Sequence, residues 1–305
     1  MKFPLSKYIW FDGKLVPVNM AKVPVTTHAI HYGTSIFEGI RAYWNSKNLH
    51  VFRLKDHVKR FRNSGKFYNI KLNFSDRQIE NAVIDLCKKN KIKKSCYIRP
   101  FYFVGQYGIN FHVTQKAPTH TAIFTFPFGD LFNKSGITAT ISKWRKFSDM
   151  STPTQAKMGG NYLNSILATQ DAKQRGFDEA ILLDQSGNVS EAPGENIFLV
   201  KNNMLVTPSL SSSALDGITR RSIITLAKDM KLKIKTQKVS KKELKMADEI
   251  FLSGTAAEIT PVIKIDKKKI GEGKVGNITK LFMNTYSDIV MNKNENYSHW
   301  LTVVY

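Results

Sequence analysis

Acidic residues are scarce in this chain. Twenty-four Asp and Glu stand against 46 Lys and Arg in 305 residues, a formal net charge of +22. Such an imbalance admits an anionic partner such as a nucleic acid. The lysines, however, are spread along the chain, and their densest groups, Lys88 to Lys94 and Lys264 to Lys269, fall where helix ends and turns are expected. A surface of that kind attracts anionic substrates and cofactors without specifying them. Cysteine is nearly absent: Cys87 and Cys96 make neither a disulfide framework nor a metal pattern, which fits a reducing, cytoplasmic setting. The seven histidines, His28, His31, His50, His57, His112, His120 and His299, show no ligand spacing with cysteine or carboxylates, so no metal is expected. No run of eighteen apolar residues exists, so no transmembrane helix is expected. The start, MKFPLSKYIWFDG, lacks the apolar core of a secretory leader. No GKS, GKT or GxSxG run occurs, and no dinucleotide-binding glycine fingerprint is read.

What is present is a globular composition, 42% hydrophobic, long enough for one large or two medium domains. Tyr8 to Phe11 and Leu15 to Val18 flank Asp12-Gly13, a hairpin signal. Val23 to Ile30 reads as extended. Leu49 to Phe52, Cys96 to Val104 and Thr119 to Phe126 read as strands rich in aromatic and β-branched residues. Leu54 to Tyr68 reads as a helix, with Val58, Phe61 and Gly65 on one face. A second helix opens at Ser75, with Gln78 completing a capping box and Ile79, Ala82, Val83, Leu86 and Cys87 forming an apolar stripe. The turn-rich segment 128–136 is the expected linker. It separates a small N-terminal α/β domain, 1–127, from a larger domain, 137–305. Further strands are expected at Ile137 to Ile141, Glu179 to Leu183, Ile197 to Val200, Met204 to Thr207, Lys233 to Val239 and Glu249 to Ser253. Helices are expected after Lys157, after Gly217 and from Ile278 to Met291, the last with Ile278, Leu281, Phe282 and Ile289 inward. The sum is α+β to α/β.

The chemistry centres on Lys157, in KMGGNYLNS. It lies at the entrance of a helix whose stripe is Leu163, Ile166, Leu167 and Gln170, beside two glycines that allow close backbone packing. A lysine held there and desolvated becomes a nucleophile. Gly217-Ile218-Thr219 and Gly254-Thr255-Ala256-Ala257 read as two helix entrances able to cradle a phosphate, although on this signal alone ordinary capping by Thr or Ser is the stronger reading. Glu191 is either a solvated loop carboxylate or one that keeps a pyridine nitrogen protonated. Tyr162 either packs or donates to a cofactor oxygen. Arg99, in an apolar strand, needs an anion, either a substrate carboxylate or a structural partner.

Six blocks, in order, give these residues a context: HYGTSIFEGIRAY (31–43), YIRP (97–100), KMGGNYLNS (157–165), SEAPGENIF (190–198), SSALDGITRRSI (212–223) and FLSGTAAEITPV (251–262). Together they resemble the branched-chain amino-acid aminotransferases of the class IV, fold type IV, pyridoxal-phosphate family over essentially the whole chain. The resemblance implies two domains with the active site between them, and pyridoxal 5'-phosphate as cofactor. It implies that Lys157 is the lysine joined covalently to the cofactor, Glu191 the partner of the pyridine nitrogen and Tyr162 the partner of the phenolic oxygen. Arg60, Ile218, Thr219 and Thr255 match the phosphate contacts. Phe37, Gly39, Tyr97 and Arg99 match the substrate pocket, and the backbone at Thr255 and Ala256 the α-carboxylate site. Tyr32 matches a residue reaching the neighbouring subunit's pocket, which implies a homodimer or a trimer of dimers. One departure stands out. After Phe126-Pro127, relatives often carry Trp and, three residues later, Tyr, whereas this chain has Phe128 and Leu131. That Tyr helps relatives bind the side-chain carboxylate of glutamate.

The activity implied is ping-pong transamination of Leu, Ile and Val with 2-oxoglutarate, with Lys157 as general base and acid. Within the same fold, a D-amino-acid aminotransferase or an aminodeoxychorismate lyase is the alternative. The EGIRAY, YIRP and GITRR forms favour the branched-chain group. Outside it, a basic nucleic-acid-binding protein would show steeply salt-dependent binding and no chromophore.

Overall fold

The computed structural model describes residues 5–305; the first four residues of the expected 1–127 domain, and of the start expected to lack a secretory leader, lie outside it. In chain order the elements begin with β1 (Tyr8–Phe11), β2 (Lys14–Pro17), α1 (His28–Tyr32), β3 (Ser35–Phe37), β4 (Ile40–Trp44), β5 (Leu49–Phe52), α2 (Leu54–Lys66), α3 (Asp76–Lys89), β6 (Cys96–Val104) and β7 (Thr119–Pro127). They continue with β8 (Ile137–Arg145), α4 (Tyr162–Gln174), β9 (Glu179–Leu183), β10 (Asn196–Lys201), β11 (Met204–Pro208), α5 (Ile218–Asp229), β12 (Ile234–Gln237), α6 (Lys241–Lys245), β13 (Glu249–Gly254), β14 (Glu258–Ile265), β15 (Lys268–Lys269), α7 (Asn277–Val290) and β16 (Leu301–Val303).

The chain divides into two compact units. The first comprises 1–129, 156–160 and 288–305, and the second 130–155 and 161–287. The parting at 129/130 falls inside the segment expected to link two domains. Two pieces of the expected 137–305 domain nonetheless belong to the first unit: the five residues around Lys157, and the C-terminal tail from Asp288. Their contacts explain why. Met158 is bridged to Ile36, and β16 pairs with β5.

In the first unit an antiparallel sheet runs β16-β5-β4-β6-β7-β1-β2, with β3 also pairing β6. Asp12 and Gly13 both have positive φ (44° and 90°), as the β1–β2 hairpin turn requires. β3 and β4 lie on the same partner: Ser35 to Phe37 face Phe101 to Phe103, and Ile40 to Ala42 face Cys96 to Ile98. The two residues between them, Glu38 and Gly39, are therefore held at a break in the ladder, and both are buried. The capping box at Ser75 and Gln78 is formed in both directions, and α3 buries the five residues of its predicted stripe. α2 buries Leu54, His57, Val58, Phe61, Ser64 and Gly65. Val23 to Ile30 is not extended: its end forms α1, with Gly33 closing that helix at φ 65°.

The second unit's sheet is mixed, β12-β11-β10-β13-β14-β8-β9, with β15 on β14. β8 runs parallel to both β14 and β9, and β11 parallel to β12. Three expectations fail here. The stripe on α4 is reversed: Leu163, Ile166 and Leu167 are exposed, and Ser165, Ala168, Asp171 and Ala172 are the residues buried on the helix, where Ala168 and Ala172 cluster with Ala180 and Leu182. Small residues win the inner face because the helix lies close to the sheet. On α7, Leu281 points outward while Phe282 packs against Phe251. Gly254 to Ala257 opens no helix; it is the tight connection between antiparallel β13 and β14, with Gly254 opposite Glu258. α6 has its own capping box, Ser240 with Glu243, and went unread. One glycine pattern passed over in the sequence, Gly271-x-Gly273-x-x-Gly276, does have dinucleotide spacing. It precedes α7, but Glu249 already accepts the N–H groups of Ile278 and Thr279 at that helix start (3.1 and 2.7 Å), so no room is left there for a pyrophosphate.

Candidate active site

The first unit carries one set of groups. Lys157 is half-buried. Its backbone N–H donates to Ser64 Oγ of α2 (3.0 Å), and its carbonyl accepts from Phe37 N at the end of β3 (3.1 Å). Gly160 N donates to Gly33 O (3.2 Å), and a Cβ on Gly33 would lie 2.8 Å from Gly160 Cα. The two glycines after the lysine thus let two backbones touch, the close approach that only glycine tolerates. With its main chain clamped on both sides, the ammonium lies 4.7 Å from the centre of the Phe37 ring, a cation–π arrangement.

Near this segment stand the other residues assigned to a substrate pocket. Arg99 of β6 also lies over Phe37 (4.7 Å) and over Tyr97 (5.3 Å), and its Nη2 donates to Tyr97 Oη at 3.4 Å. Its Nε is buried with no hydrogen-bond partner among the described residues. An unmatched guanidinium nitrogen of that kind suits an incoming anion. Gly39 abuts Tyr97, and Tyr97 stacks on Phe126 and tilts against Phe128, both at 5.3 Å. Phe128 thus takes part in the aromatic wall, and Arg41 lies 5.2 Å over its ring. Leu131 is exposed. Tyr32 is at the surface, where it donates weakly to Ile109 O (3.5 Å) and meets Phe111 edge-on.

Arg60 is gripped by a carboxylate. Its Nε and Nη2 donate to the two oxygens of Glu38 at 2.7 and 2.9 Å, and His57 Nδ1 donates to Glu38 Oε2 at 2.8 Å. Glu38 is fully buried. Its burial would raise its pKa, but the Arg60 charge and the His57 hydrogen bond outweigh this and hold the carboxyl far below the ordinary range. Burial pushes His57 down, against the opposing pull of Glu38.

The second unit carries another set. Glu191 is buried. Lys146 Nζ lies 2.7 Å from its Oε1, while Asn196 Nδ2 and Leu215 N donate to Oε2 at 3.2 and 2.9 Å. A carboxylate offers about four acceptor positions, so these three donors leave one for a ring N–H. Asn196 also donates to Leu215 O (2.8 Å), and Gln155 bridges Ala214 O and Asp216 N (2.8 and 3.1 Å). The loop into α5 is therefore tied to Glu191. Gly217 caps α5 without a side-chain hydrogen bond, and a Cβ there would collide with Asn196. The N–H groups of Ile218 and Thr219, both buried residues, open a twelve-residue helix with the positive end of its dipole. Tyr162 begins α4 and is half-buried. Thr255 and Ala256 are half-buried in the β13–β14 turn, beside Ser253, whose Oγ is buried without a partner among the described residues.

The sequence reading passed over Glu38, His57, Ser64, Lys146 and Asn196. Glu38 lay inside a quoted block. The spacing of three between His57 and Arg60 was a usable sign that both project from neighbouring positions of one helix. Lys146 had no signal among 46 basic residues. Among the described residues no cluster of metal-ligating side chains exists, and no helix is long and apolar enough to cross a membrane.

A buried, multiply bonded carboxylate, an uncapped helix start built from Gly-Ile-Thr and a clamped lysine are each groups of a kind that suits a phosphorylated pyridine cofactor. The amino-transferase class IV family model matches residues 35–265, and the chain belongs to that family. Within it, the chain is 42% identical to the branched-chain-amino-acid aminotransferases of Salmonella typhimurium and Escherichia coli K12, over 98% of each chain. Among solved structures, the branched-chain aminotransferase of Thermoproteus uzoniensis with norvaline superposes with a TM-score of 0.95 at 41% identity, covering 98% of this chain and 100% of that one. The T.th. branched-chain enzyme complexed with N-(5'-phosphopyridoxyl)-L-glutamate gives 0.95 at 39%, covering 98% and 99%.

Proposed function

We propose that this chain transaminates the branched-chain L-amino acids Leu, Ile and Val with 2-oxoglutarate, with Lys157 as its catalytic residue and pyridoxal 5'-phosphate as its cofactor. The observation that carries the reading is the setting of Lys157, whose main chain is fixed by Ser64 and Phe37 while the residue stays half-buried. The residues present fit the cofactor: Glu191 has one acceptor position left for the ring nitrogen, α5 has no side-chain cap, and Arg60 is a braced guanidinium. Tyr162 serves the phenolic oxygen, and Arg60, Ile218, Thr219 and Thr255 serve the phosphate. When bound, pyridoxal phosphate supplies the carbonyl that carries the amino group and a ring that accepts electrons.

The chain's own residues do the rest. Glu191, held in place by Lys146, Asn196 and Leu215, keeps the proton on the ring nitrogen. The ε-amino group of Lys157 would take the proton from the substrate Cα as general base and deliver it, as general acid, to C4′ of the cofactor. Arg99, with the backbone at Thr255 and Ala256, receives carboxylate. Phe37, Gly39 and Tyr97 give an apolar wall that selects branched chains. Such walls discriminate neighbouring homologues by only about 1–3 kcal/mol per methylene, so all three amino acids react. The norvaline and phosphopyridoxyl-glutamate complexes of the two relatives support both half-reactions.

The chain works in the cytoplasm as a homodimer or a trimer of dimers, with Tyr32 serving the neighbouring subunit's pocket. The support is apolar surface: Ile30, Ile109 and Phe111 are 60%, 80% and 81% exposed on the first unit, which also has a cavity of about 320 Å³ lined by Val23, Ile30 and Phe103. On the second unit, Leu163 and Ile166 are 66% and 50% exposed. Monomers expose this apolar area to water at a cost that self-association removes.

The deciding measurement is the absorbance of the purified protein before and after L-leucine alone. The cofactor band should bleach and then return on adding 2-oxoglutarate. Bleaching by D-alanine but not by L-leucine would refute the substrate class. Absence of any band after adding pyridoxal phosphate would refute the cofactor reading. Light scattering on the same sample should give at least twice the chain mass.

A further inference from the structure

Glu38 lies in the two-residue break where β3 hands over to β4, both on β6. Its side chain is fully buried, and Gly39 N and Glu38 Oε2 are 3.3 Å apart. A carboxylate at that depth costs several kcal/mol unless it is paired, and two side chains of α2 pair it, Arg60 and His57, three residues apart. The pairing is not a point contact. Arg60 presents Nε and Nη2 to the two oxygens as a fork, which fixes the plane of the guanidinium as well as its distance. The Arg60 side chain is 13% exposed while Glu38 and His57 are at 0% and 1%, so the triad is anchored from inside and its arginine reaches outermost. Tyr102 of β6 packs against Phe61 of the same helix, its Oη donating to Phe61 O (3.2 Å).

We propose that Glu38 is the positioning residue for Arg60: it sets the guanidinium in the orientation that binds the cofactor's phosphate, and it does not itself touch cofactor or substrate. This rests on the reading of Arg60 as a phosphate ligand. Two effects oppose each other. Glu38 orients Arg60, which strengthens phosphate binding. Its negative charge also offsets part of the arginine's attraction for a dianion. Orientation dominates, because an unbraced guanidinium on a flexible stem must be ordered anew each time it binds. Partners that orient a metal ligand are worth about 10–100-fold in affinity, and a similar factor is expected here.

The test is the full-length chain, stripped of cofactor and titrated with pyridoxal 5'-phosphate and, separately, with pyridoxal, which lacks the phosphate. Glu38→Gln should weaken the phosphorylated form about tenfold or more and leave pyridoxal within about twofold, on the same scale. A purely structural role would weaken both equally. Equal weakening, no weakening, or tighter binding of the phosphorylated form overturns the proposal. Glu38→Asp keeps the charge but, one methylene shorter, cannot span both Arg60 nitrogens and His57; it should show the same selective loss. Arg60→Gln separates the two levels. If it is not selective for the phosphorylated form, the assignment of Arg60 itself is wrong. If it is selective and neither Glu38 variant is, only the present inference fails.

Discussion

Substituting Gly39 by alanine tests the packing of the proposed substrate wall. A Cβ at this position would overlap Tyr97 Oη and lie 2.8 Å from its Cζ. Carbon atoms pack at about 3.5–4.0 Å, so the tyrosine must retreat by roughly 1 Å. It has nowhere easy to go: Tyr97 is 7% exposed and is backed by Phe126 and Phe128 at 5.3 Å. Overpacking of this kind costs about 1–3 kcal/mol, which for a chain of this size lowers Tm by about 2–5 °C. The shift also moves Oη away from Arg99 Nη2, now 3.4 Å away. The expected kinetic result is a fall of about tenfold in kcat/KM for leucine, corresponding to about 1.4 kcal/mol. Adding Tyr97→Phe removes the overlap at oxygen but not the close Cζ, so the double variant should recover part of the lost Tm, and the two changes should not add. Differential scanning calorimetry and steady-state kinetics are sufficient. A Gly39→Ala protein with wild-type Tm and kcat/KM, or strictly additive variants, would refute the reasoning.

Lys146→Met breaks a buried ion pair and leaves Glu191 with two neutral donors. The expected loss is about 3–5 kcal/mol, read by denaturant unfolding of the cofactor-free chain. A change below about 1 kcal/mol, the scale of an exposed pair, would mean that the contact at 2.7 Å does not stabilise the buried carboxylate. The pH dependence of folding should carry the mark of Glu179, whose carboxyl burial pushes up to about 7. The folded chain then holds this proton more tightly than the unfolded chain, so the contribution is complete below pH 4.5 and fades as pH rises toward 7, by up to about 3 kcal/mol. Glu179→Gln should flatten stability across that window, and a slope identical to wild type would remove Glu179 as its cause.

Local signals determined much of this protein. The hairpin at Asp12-Gly13, the capping box at Ser75 and the strands at Leu49 to Phe52, Cys96 to Val104 and Glu179 to Leu183 follow from turn chemistry, side-chain to backbone hydrogen bonds and β-branched runs, all of which act within a few residues. The six motif blocks likewise carried the family resemblance, and they contain Lys157 and the buried carboxylate Glu191. What depends on distant partners was not legible. The outward face of α4 looks apolar in sequence because an apolar stripe records burial against something, not against which partner. Ala168 and Ala172 take the inner side only because the sheet comes close. Thr255 read as a helix start, because small residues before an apolar run suit either a helix or a turn, and only the pairing of β13 with β14 decides. Lys157 was assigned to the C-terminal domain by its place in the chain, yet Ser64 and Phe37, 93 and 120 residues earlier, hold its backbone. Glu38 and Lys146 acquire meaning only as partners of Arg60 and Glu191. A charged side chain's role is set by the low-dielectric contact it makes, and that contact exists only once tertiary packing has brought the two ends together.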